Sequence, residues 1–522
     1  MHNCAVKTVV LLSAAAFFIL LCQRFALAED TMKTPDKELK RRARLEAILP
    51  EFQKYAEETL KKSGVPGIAI AIVQDDRTAY LKGFGVRKAG EPAEVGPDTV
   101  FQLASMSKPF TSGLIASLVG EGLLAWDDKV TDTLPGFKLY DPAVTSQFSI
   151  RDLLAQRSGL PEYTGDDLAF TFMYGLPEII ARIRWQQPVE PFRSSYGYQN
   201  VMFAIAGEAA AVKTGKTYAS LMRERIFSPL GMASTSAVFA DFEKAENKAF
   251  SHRMNNGKPE VQEPAKDDIF APAGGICSTA RDLARWLRFQ LAGGSFDGKQ
   301  LVPKAALEET GRAQTVIKSG PDGISAYGLG WEIESADGRV KVSHGGDFGN
   351  GISTIAELWP SEHLGIAILT NSFPEGHILH AALLKKLEEL YFSGKSDTDW
   401  WPVVEEKFKQ AAAGSILDPY EHLPAVPEKR VVARNAEVYR GEYENDYYGT
   451  IHIKPAEKHG LLLFFGNNPE PLSLEHWDKD TFREQETNTG VIFTVDDGGR
   501  PDAVKVKLFD FKGRNPVFVR RG

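Results

Sequence analysis

The chain has 522 residues, of which 43% are hydrophobic and 25% charged, and its formal net charge is −8 at pH 7. This composition is typical of a folded globular protein with room for more than one domain. The acidic balance, with no long basic run, argues against nucleic acid or an anionic membrane surface as a partner.

The N-terminal segment has the pattern of an export signal. "TVVLLSAAAFFILLC" follows a positively charged start, and "ALA" before Glu29 is a small-x-small cleavage site. We therefore expect a signal peptide over residues 1–28, no membrane span after cleavage, and an exported protein, periplasmic or secreted. An uncleaved N-terminal anchor remains the alternative. Only Cys277 lies beyond this segment, so a disulfide within the mature chain is impossible.

The next part of the chain, residues 29–415, is predicted to form one large domain. A charged helical lead-in (about 36–62) precedes "VPGIAIAIVQDDRTAYLKGFGVR", which indicates a β-hairpin turning at Asp75 and Asp76. Residues 105–310 are mostly helical, and several strands and the helix "HILHAALLKKLEELYF" follow. Strands at both ends predict an α/β (α+β) fold in which one antiparallel sheet packs beside a helical region.

The C-terminal part is predicted to be a separate all-β domain. "ILDPYEHLPAVPEKR" (416–430) contains three prolines and indicates a linker. Residues 431–522 then alternate apolar and polar side chains with frequent Gly and Asn, which is typical of a small barrel or sandwich.

The first motif with catalytic potential is "ASMSKPF", in which Lys108 follows Ser105 by three residues. On a helix these positions share a face, so the ammonium group lies beneath the hydroxyl. The apolar run that follows places Ser105 near a helix N-terminus, where backbone N–H groups favour a developing oxyanion. Burial would lower the pKa of Lys108 and let it accept a proton. A single S-x-x-K occurs by chance in most long proteins, so further motifs are needed to identify Ser105 and Lys108 as a catalytic pair.

The second motif is "YGYQN", in which Tyr198 and Asn200 precede an apolar helix. A phenolate beside an ammonium can act as a general base, and lowering its pKa from about 10 to about 7 takes roughly 4 kcal/mol. We expect a buried lysine to supply that stabilisation. Tyr196 competes for the role, but Tyr198 has the right spacing to Asn200.

The third motif is "SHGGDFGNG", at the end of a predicted strand. Gly345 and Gly346 follow His344 and leave space for a substrate backbone, and the amide of Asp347 would then be an oxyanion donor. The literal "KTG" at residues 213–215 lies at the end of a predicted helix, where Lys and Gly are ordinary termination residues.

Together, "SMSK", "YQN" and "HGG" resemble the ordered S-x-x-K, Tyr-x-Asn and K-T-G motifs of the serine β-lactamases and penicillin-binding proteins. The chain is similar to the branch that contains class C β-lactamases, DD-peptidases, D-aminopeptidases and family VIII esterases, over about residues 50–395. The β-rich tail resembles the lipocalin-like barrel of D-aminopeptidase-type members. On that resemblance we expect the barrel to cap or narrow the site.

The resemblance implies a mechanism. Ser105 attacks a carbonyl carbon, Lys108 and Tyr198 move its proton, and water hydrolyses the acyl-enzyme. Asn200, His344, Gly345 and Gly346 bind substrate. The N–H groups of Ser105 and Asp347 form the oxyanion hole.

His344 stands where most β-lactamases have Lys, and it is mostly neutral at pH 7. The chain thereby resembles DD-peptidases and D-aminopeptidases more than efficient β-lactamases. We predict a peptidase for D-amino-acid-containing or small peptides, peptidoglycan fragments included. A carboxylesterase, a weak β-lactamase, and a non-catalytic cell-wall binding or sensor module remain alternatives.

No cofactor or metal is expected from the sequence. His377 and His380 are three residues apart on a predicted helix, but the sequence shows no third ligand near them.

Overall fold

The computed structural model describes residues 36–266, 268–321, 323–414, 422–425, 427–456 and 460–522. The predicted signal peptide, residues 1–28, and part of the predicted linker lie outside the described residues. Among the described helices, none is both long and apolar enough to cross a membrane.

Helices are concentrated in the middle of the chain, as expected. In chain order they are α1 (36–63), α2 (Lys108–Gly120), α3 (Val130–Thr133), α4 (Pro142–Gln147), α5 (Ile150–Leu154), α6 (Asp166–Phe170), α7 (Leu176–Arg182), α8 (Val201–Thr214), α9 (Tyr218–Met222), α10 (Phe239–Lys244), α11 (Ala280–Leu291), α12 (Lys304–Thr310), α13 (Glu375–Ser393), α14 (Trp400–Gly414) and α15 (Ala436–Tyr439). Short 3₁₀ turns and one π-helical turn (Arg223–Phe227) complete the set. Helix α8 ends at Thr214 with Gly215 left-handed (φ 69°), so the "KTG" there is a helix stop.

Strands occupy both ends of the first domain and nearly all of the second. They are β1 (Gly67–Gln74), β2 (Arg77–Gly85), β3 (Phe101–Gln102), β4 (Ser251–Asn255), β5 (Lys258–Gln262), β6 (Cys277–Ser278), β7 (Ser295–Phe296), β8 (Lys299–Gln300), β9 (Thr315–Gly320), β10 (Gly323–Tyr327), β11 (Glu332–Ala336), β12 (Arg339–Phe348), β13 (Ile352–Trp359), β14 (Leu364–Thr370), β15 (Gly441–Asn445), β16 (Gly449–Pro455), β17 (Leu461–Phe465), β18 (Leu472–Asp478), β19 (Thr481–Glu484), β20 (Gly490–Val495), β21 (Pro501–Val506) and β22 (Val517–Arg520).

The main sheet joins the two ends of the first domain. Its strand order is β2-β1-β14-β13-β12-β11-β10-β9, and each neighbouring pair is antiparallel. The pairing of β1 with β14 confirms the predicted single sheet. The β1–β2 hairpin turns at Asp75 and Asp76, both with positive φ, as short hairpin turns require.

Strand β1 explains why both faces of the sheet are covered. All eight of its residues are buried. Alternate side chains point to opposite faces, so Ile68, Ile70 and Ile72 pack into a core that includes apolar residues of α1 and α13. Ala69, Ala71 and Val73 pack into the larger core shared with the helical region. Leu103 and Met106, which lie on either side of Ser105, belong to this second core.

The C-terminal strands β15 to β22 form a closed eight-stranded barrel. Their burial alternates, as in β16 and β17, because alternate side chains fill the interior, and in β16 the outward-facing ones are polar. The predicted all-β unit is therefore a barrel. The exact domain boundaries stay a prediction.

Candidate active site

A 3₁₀ turn, Ala104–Ser107, carries Ser105 directly into the first turn of α2. In a 3₁₀ turn the side chains at i and i+3 are eclipsed, and the Lys108 Nζ lies 3.0 Å from the Ser105 Oγ. Ala104, immediately before the serine, has φ 48°, a conformation that L-residues adopt rarely. The proximity expected from the spacing of Ser105 and Lys108 is present.

Lys108 is fully buried and held on several sides. Besides Ser105, its ammonium donates hydrogen bonds to the Asn200 Oδ1 at 2.7 Å and to the Ala273 carbonyl oxygen at 3.1 Å. These contacts fix the amine beneath the hydroxyl. The distance from Lys108 to Ser105 is therefore set by the surrounding fold.

Tyr198 approaches Ser105 from the other side, and its hydroxyl lies 2.8 Å from the Ser105 Oγ. Burial raises the pKa of Tyr198 well above its ordinary value, and the hydrogen bond with Ser105 offsets this only in part. The expected lowering of that pKa by the lysine was wrong. Because its pKa is raised, Tyr198 is a neutral phenol in this state. The Lys108 Nζ lies over the face of the tyrosine ring, 4.6 Å from its centre.

Asp166 is a site residue that the sequence argument missed. It lies at the start of α6, where its Oδ2 accepts a 2.7 Å hydrogen bond from the Asn200 Nδ2. Among the described residues its buried Oδ1 has no hydrogen-bond partner. Burial raises the pKa of Asp166 to about 7, although the Asn200 hydrogen bond opposes this. A carboxyl group that fixes the amide of Asn200 cannot be found from local spacing, because 34 positions separate the two residues.

The third motif lies along the end of β12, beside the 3₁₀ turn that carries Ser105. A Cβ at Gly346 would overlap the Leu103 carbonyl oxygen and lie 2.8 Å from the Met106 amide nitrogen, so only glycine fits there. At Gly345 the nearest contact would be an ordinary 3.6 Å. Within the described sheet, β11 pairs with β12 only as far as Ser343. The following residues of β12 thus present an open strand edge.

His344 is buried beneath this strand end and both of its ring nitrogens are engaged. Its Nδ1 lies 2.6 Å from the Gly345 carbonyl oxygen, and its Nε2 lies 3.0 Å from the Tyr327 hydroxyl. Because a carbonyl only accepts, Nδ1 carries the proton and Nε2 accepts from Tyr327. Burial, followed by the charge of Lys108, lowers the pKa of His344 to about 3. His344 is consequently a neutral positioning group that offers no cation to a substrate.

Asp347 meets two histidines of α13. The His377 Nδ1 lies 3.1 Å from the Asp347 Oδ2, and one residue, Ser353, bridges Asp347 and His380. Burial alone would raise the pKa of Asp347, but the hydrogen bond with His377 brings it below the ordinary value. The sequence predicted no third metal ligand beside His377 and His380. That was wrong, because ligand-type atoms of all three side chains lie within 4.8 Å of one another.

These groups surround one pocket of about 710 Å³. Its lining contains three carboxylates, those of Asp166, Glu332 and Asp347, and one lysine, Lys266. The lining also includes Ser105, Tyr163, Phe170, Tyr198, Asn200, His344, His377 and His380. The pocket is large enough for a small peptide, and among its charged lining residues the acidic ones outnumber the single lysine.

The barrel supports one wall of this pocket from behind. No described residue of the barrel lines the pocket. The expected capping of the pocket by the barrel is therefore not seen among the described residues. Arg514 instead forms a buried ion pair with Asp167, the neighbour of Asp166. Phe172 inserts its ring among barrel aromatics and is fully buried.

The structure thus brings Ser105, Lys108, Tyr198 and Asn200 together within hydrogen-bond distances. It places His344, Gly345, Gly346 and Asp347 along the adjoining strand end. Their catalytic and substrate-binding roles, and the pairing of the Ser105 and Asp347 N–H groups as an oxyanion hole, stay predictions.

Comparison with known proteins adds a family profile. Residues 52–388 match the family described as Beta-lactamase, and residues 426–520 match a domain of unknown function, DUF3471. Unguisins hydrolase ungD' of Aspergillus campestris is 26% identical over 437 residues, covering 79% of each chain. Protein flp of Staphylococcus aureus is 26% identical over 322 residues, covering 62% of each chain.

Solved structures agree at the level of the fold. The octameric penicillin-binding protein homologue from Pyrococcus abyssi superposes with a TM-score of 0.59 at 20% identity, covering 90% of this chain and 100% of that chain. A class C beta lactamase from Rhodobacter sphaeroides gives 0.52 at 22% identity, covering 64% and 98%.

Proposed function

Because the chain belongs to the beta-lactamase family and is a serine hydrolase of that kind, we propose that it is a peptidase acting on small or D-amino-acid-containing peptides through an acyl-enzyme on Ser105. The observation that carries the proposal is the placement of the Ser105 Oγ 3.0 Å from the Lys108 Nζ and 2.8 Å from the Tyr198 hydroxyl. Such an arrangement of nucleophile and proton-transfer groups activates a serine.

In the proposed reaction the Ser105 Oγ attacks the substrate carbonyl carbon. Lys108, once it has lost a proton, takes the proton of Ser105. Tyr198 donates its own proton to the leaving amine and is reprotonated by Lys108, and the C–N bond breaks to give the ester of Ser105. Water then cleaves that ester and restores the hydroxyl. The neutral phenol of Tyr198 suits delivery of a proton to the leaving amine. The N–H groups of Ser105 and Asp347 are assigned to the oxyanion.

The charge of the pocket supports a peptide substrate over a β-lactam. His344 is neutral and has both nitrogens engaged, so it gives a substrate carboxylate no cation to bind. The lining carries three carboxyl groups against one lysine, Lys266, and of the three Asp347 has a pKa below its ordinary value, which suits an amine better than an anion. The open edge of β12 beyond Ser343 offers backbone hydrogen bonds to an extended chain. Cleavage of the N-terminal segment and export of the mature chain remain part of the proposal.

The first test is the intact mass of the protein after brief exposure to a fluorophosphonate, with Ser105→Ala as the control. We expect one adduct on the wild type and none on the variant. A panel of D-aminoacyl amides, L-aminoacyl amides, simple esters and benzylpenicillin then tests the substrate class. Fastest turnover of the D-aminoacyl amides supports the proposal. Fastest turnover of esters or penicillin, or no adduct on the wild type, contradicts it.

A further inference from the structure

One wall of the catalytic pocket brings together an aspartate and two histidines whose side chains take no part in the bond-making and bond-breaking steps of the proposed reaction. Asp347 lies on β12, and His377 and His380 lie three residues apart on α13, so the two rings share one helix face. Each of the three offers a ligand-type atom, and these atoms lie within 4.8 Å of one another. All three side chains line the pocket that contains Ser105.

The hydrogen bonds around this cluster determine which nitrogen of His380 carries the proton. The Ser353 Oγ donates to the Asp347 Oδ1, which uses its single proton. The same Oγ lies 2.9 Å from the His380 Nε2, so it must accept a proton from that nitrogen. The other ring nitrogen, Nδ1, therefore carries a lone pair.

That lone pair is the unexplained feature of the site. His380 is 3% exposed, and in the described part of the chain its buried Nδ1 has no hydrogen-bond partner. Buried polar groups are nearly always satisfied, and each one left unpaired needs a reason. A cation bound at the Nδ1 would supply one.

The donor set has the chemistry of a transition-metal site. Two imidazoles and one carboxylate suit Zn²⁺, and three protein ligands leave a fourth position open, as in catalytic zinc centres. A metal-ligating histidine commonly donates its other N–H to an oriented acceptor, and Ser353 is such an acceptor for His380. Ser353 also fixes one oxygen of Asp347 and leaves the Oδ2, which faces His377, available to a metal.

We propose that Asp347, His377 and His380 bind one Zn²⁺ ion in the wall of the catalytic pocket. The ion would tie the end of β12 to α13 and replace the hydrogen bond between Asp347 and His377. Its open coordination position would belong to the same pocket as Ser105, because all three ligands line that pocket.

The test is direct binding of Zn²⁺ to the full chain, stripped of metal with a chelator, in competition with a chromophoric indicator. Binding of Co²⁺, followed by its visible absorption, checks for a four-coordinate site. We expect one equivalent per chain. We also expect His377→Ala and His380→Gln each to weaken binding by at least about 100-fold. His377 is more than a third exposed, so its variant should fold even if the buried His380 variant does not.

Two controls separate this proposal from others. His363→Asn alters an exposed histidine in a left-handed turn that Asn tolerates, and it should bind as the wild type does. Ser105→Ala should also bind Zn²⁺ normally, so the result does not depend on the proposed peptidase activity. Equal affinity in the wild type and the His377 variant would mean that Zn²⁺ binds elsewhere. Undetectable binding by the wild type would mean a hydrogen-bonded cluster only. Either result overturns the proposal.

Discussion

Ser105 lies between Lys108 and Tyr198, and the surroundings of these two side chains suit them to different proton-transfer roles. Lys108 has no exposed surface and contacts Asn200 and the Ala273 carbonyl as well as the serine. Tyr198 is neutral because burial raises its pKa. Once it has lost a proton, the lysine is the group suited to take the proton of Ser105, and the neutral phenol is the group suited to give one away.

The first prediction concerns that division of labour. Tyr198→Phe removes only the hydroxyl that contacts the Ser105 Oγ, and Lys108→Met removes the amine while keeping an unbranched chain. We expect each variant to lower kcat by about 10²–10⁴-fold, the usual contribution of a proton-transfer group. Steady-state kinetics on the best amide substrate measure this. If Tyr198→Phe kept nearly full kcat, the phenol would have no role in proton transfer.

The second prediction concerns Asp166 and pH. Its folded-state pKa, about 7, lies above the ordinary 3.8, because burial outweighs the opposing effects of Asn200, Lys108 and Arg514, and Asp167 adds to the rise. A raised pKa means that the folded state prefers the protonated acid. The folded state therefore loses stability as pH rises from about 4 to about 7, and the loss is complete above that range.

Replacement of Asp166 by Asn removes this titration and keeps an oxygen that can accept from Asn200. We expect the free energy of unfolding of Asp166→Asn, relative to wild type, to increase between pH 5 and pH 8. Urea unfolding at four pH values measures it, with the exposed Asp497→Asn as the baseline. A relative stability that falls with rising pH would show that the folded state prefers ionised Asp166.

At the scale of elements, the site depends on one close approach, where the end of β12 lies against the 3₁₀ turn of Ser105. Gly346 permits that approach because it has no side chain. A displacement there would move the Asp347 amide away from Ser105. Two neighbouring glycines with different surroundings make the approach testable.

Gly346→Ala is expected to destabilise the fold by about 1–3 kcal/mol, the usual cost of overpacking, because its Cβ would overlap the Leu103 carbonyl oxygen. Gly345→Ala is the matched control, since its Cβ meets nothing closer than 3.6 Å. Thermal unfolding of both variants, followed by circular dichroism, measures the difference. Equal melting temperatures would mean that β12 and the turn can separate at little cost.

Features of the site and the fold that depend on local spacing could be predicted from the sequence. Ser105 with Lys108, and Tyr198 with Asn200, are encoded within four residues, so local spacing indicated both pairs, and their order along the chain with the third motif distinguished them from chance matches. The hairpin turning at Asp75 and Asp76 was predictable for the same reason.

Features that depend on tertiary contacts escaped the sequence argument. Asp166 reaches Asn200, and Asp347 reaches His377, only after distant segments pack together. The sign of the Tyr198 pKa shift also depended on burial, which a motif does not encode.

At the scale of the whole molecule, the barrel and the catalytic domain are joined through a buried polar contact. Arg514 and Asp167 are 6% and 8% exposed, and Arg514 also donates to the carbonyl oxygens of Glu162 and Tyr163. Tyr163 and Asp166 line the pocket. The barrel therefore contacts the segment that supplies two of the lining residues of the pocket.

Arg514→Ala leaves Asp167 buried without its cation, which typically costs about 3–5 kcal/mol. We expect a loss of that order in the free energy of unfolding, together with a higher KM because the wall at Tyr163 and Asp166 loosens. Arg521→Ala breaks the exposed pair with Glu444 (54% and 43% exposed) and should cost about 0–1 kcal/mol. Chemical unfolding and kinetics test both variants. Similar losses for the two would contradict a special role for the buried pair.

The pairing of β1 with β14 has a consequence for the order in which the protein is built. Ile70 is paired with Ile368, about 300 residues later in the chain, and closing so long a loop is slow. Synthesis proceeds from the N-terminus, so Ser105, Lys108, Tyr198 and Asn200 all exist before their strand partner β12 does. A ribosome-bound fragment that stops before residue 339 contains Ser105 but lacks the part of the pocket that β12 and α13 supply. We therefore expect a chain that ends before β12 to have no hydrolytic activity.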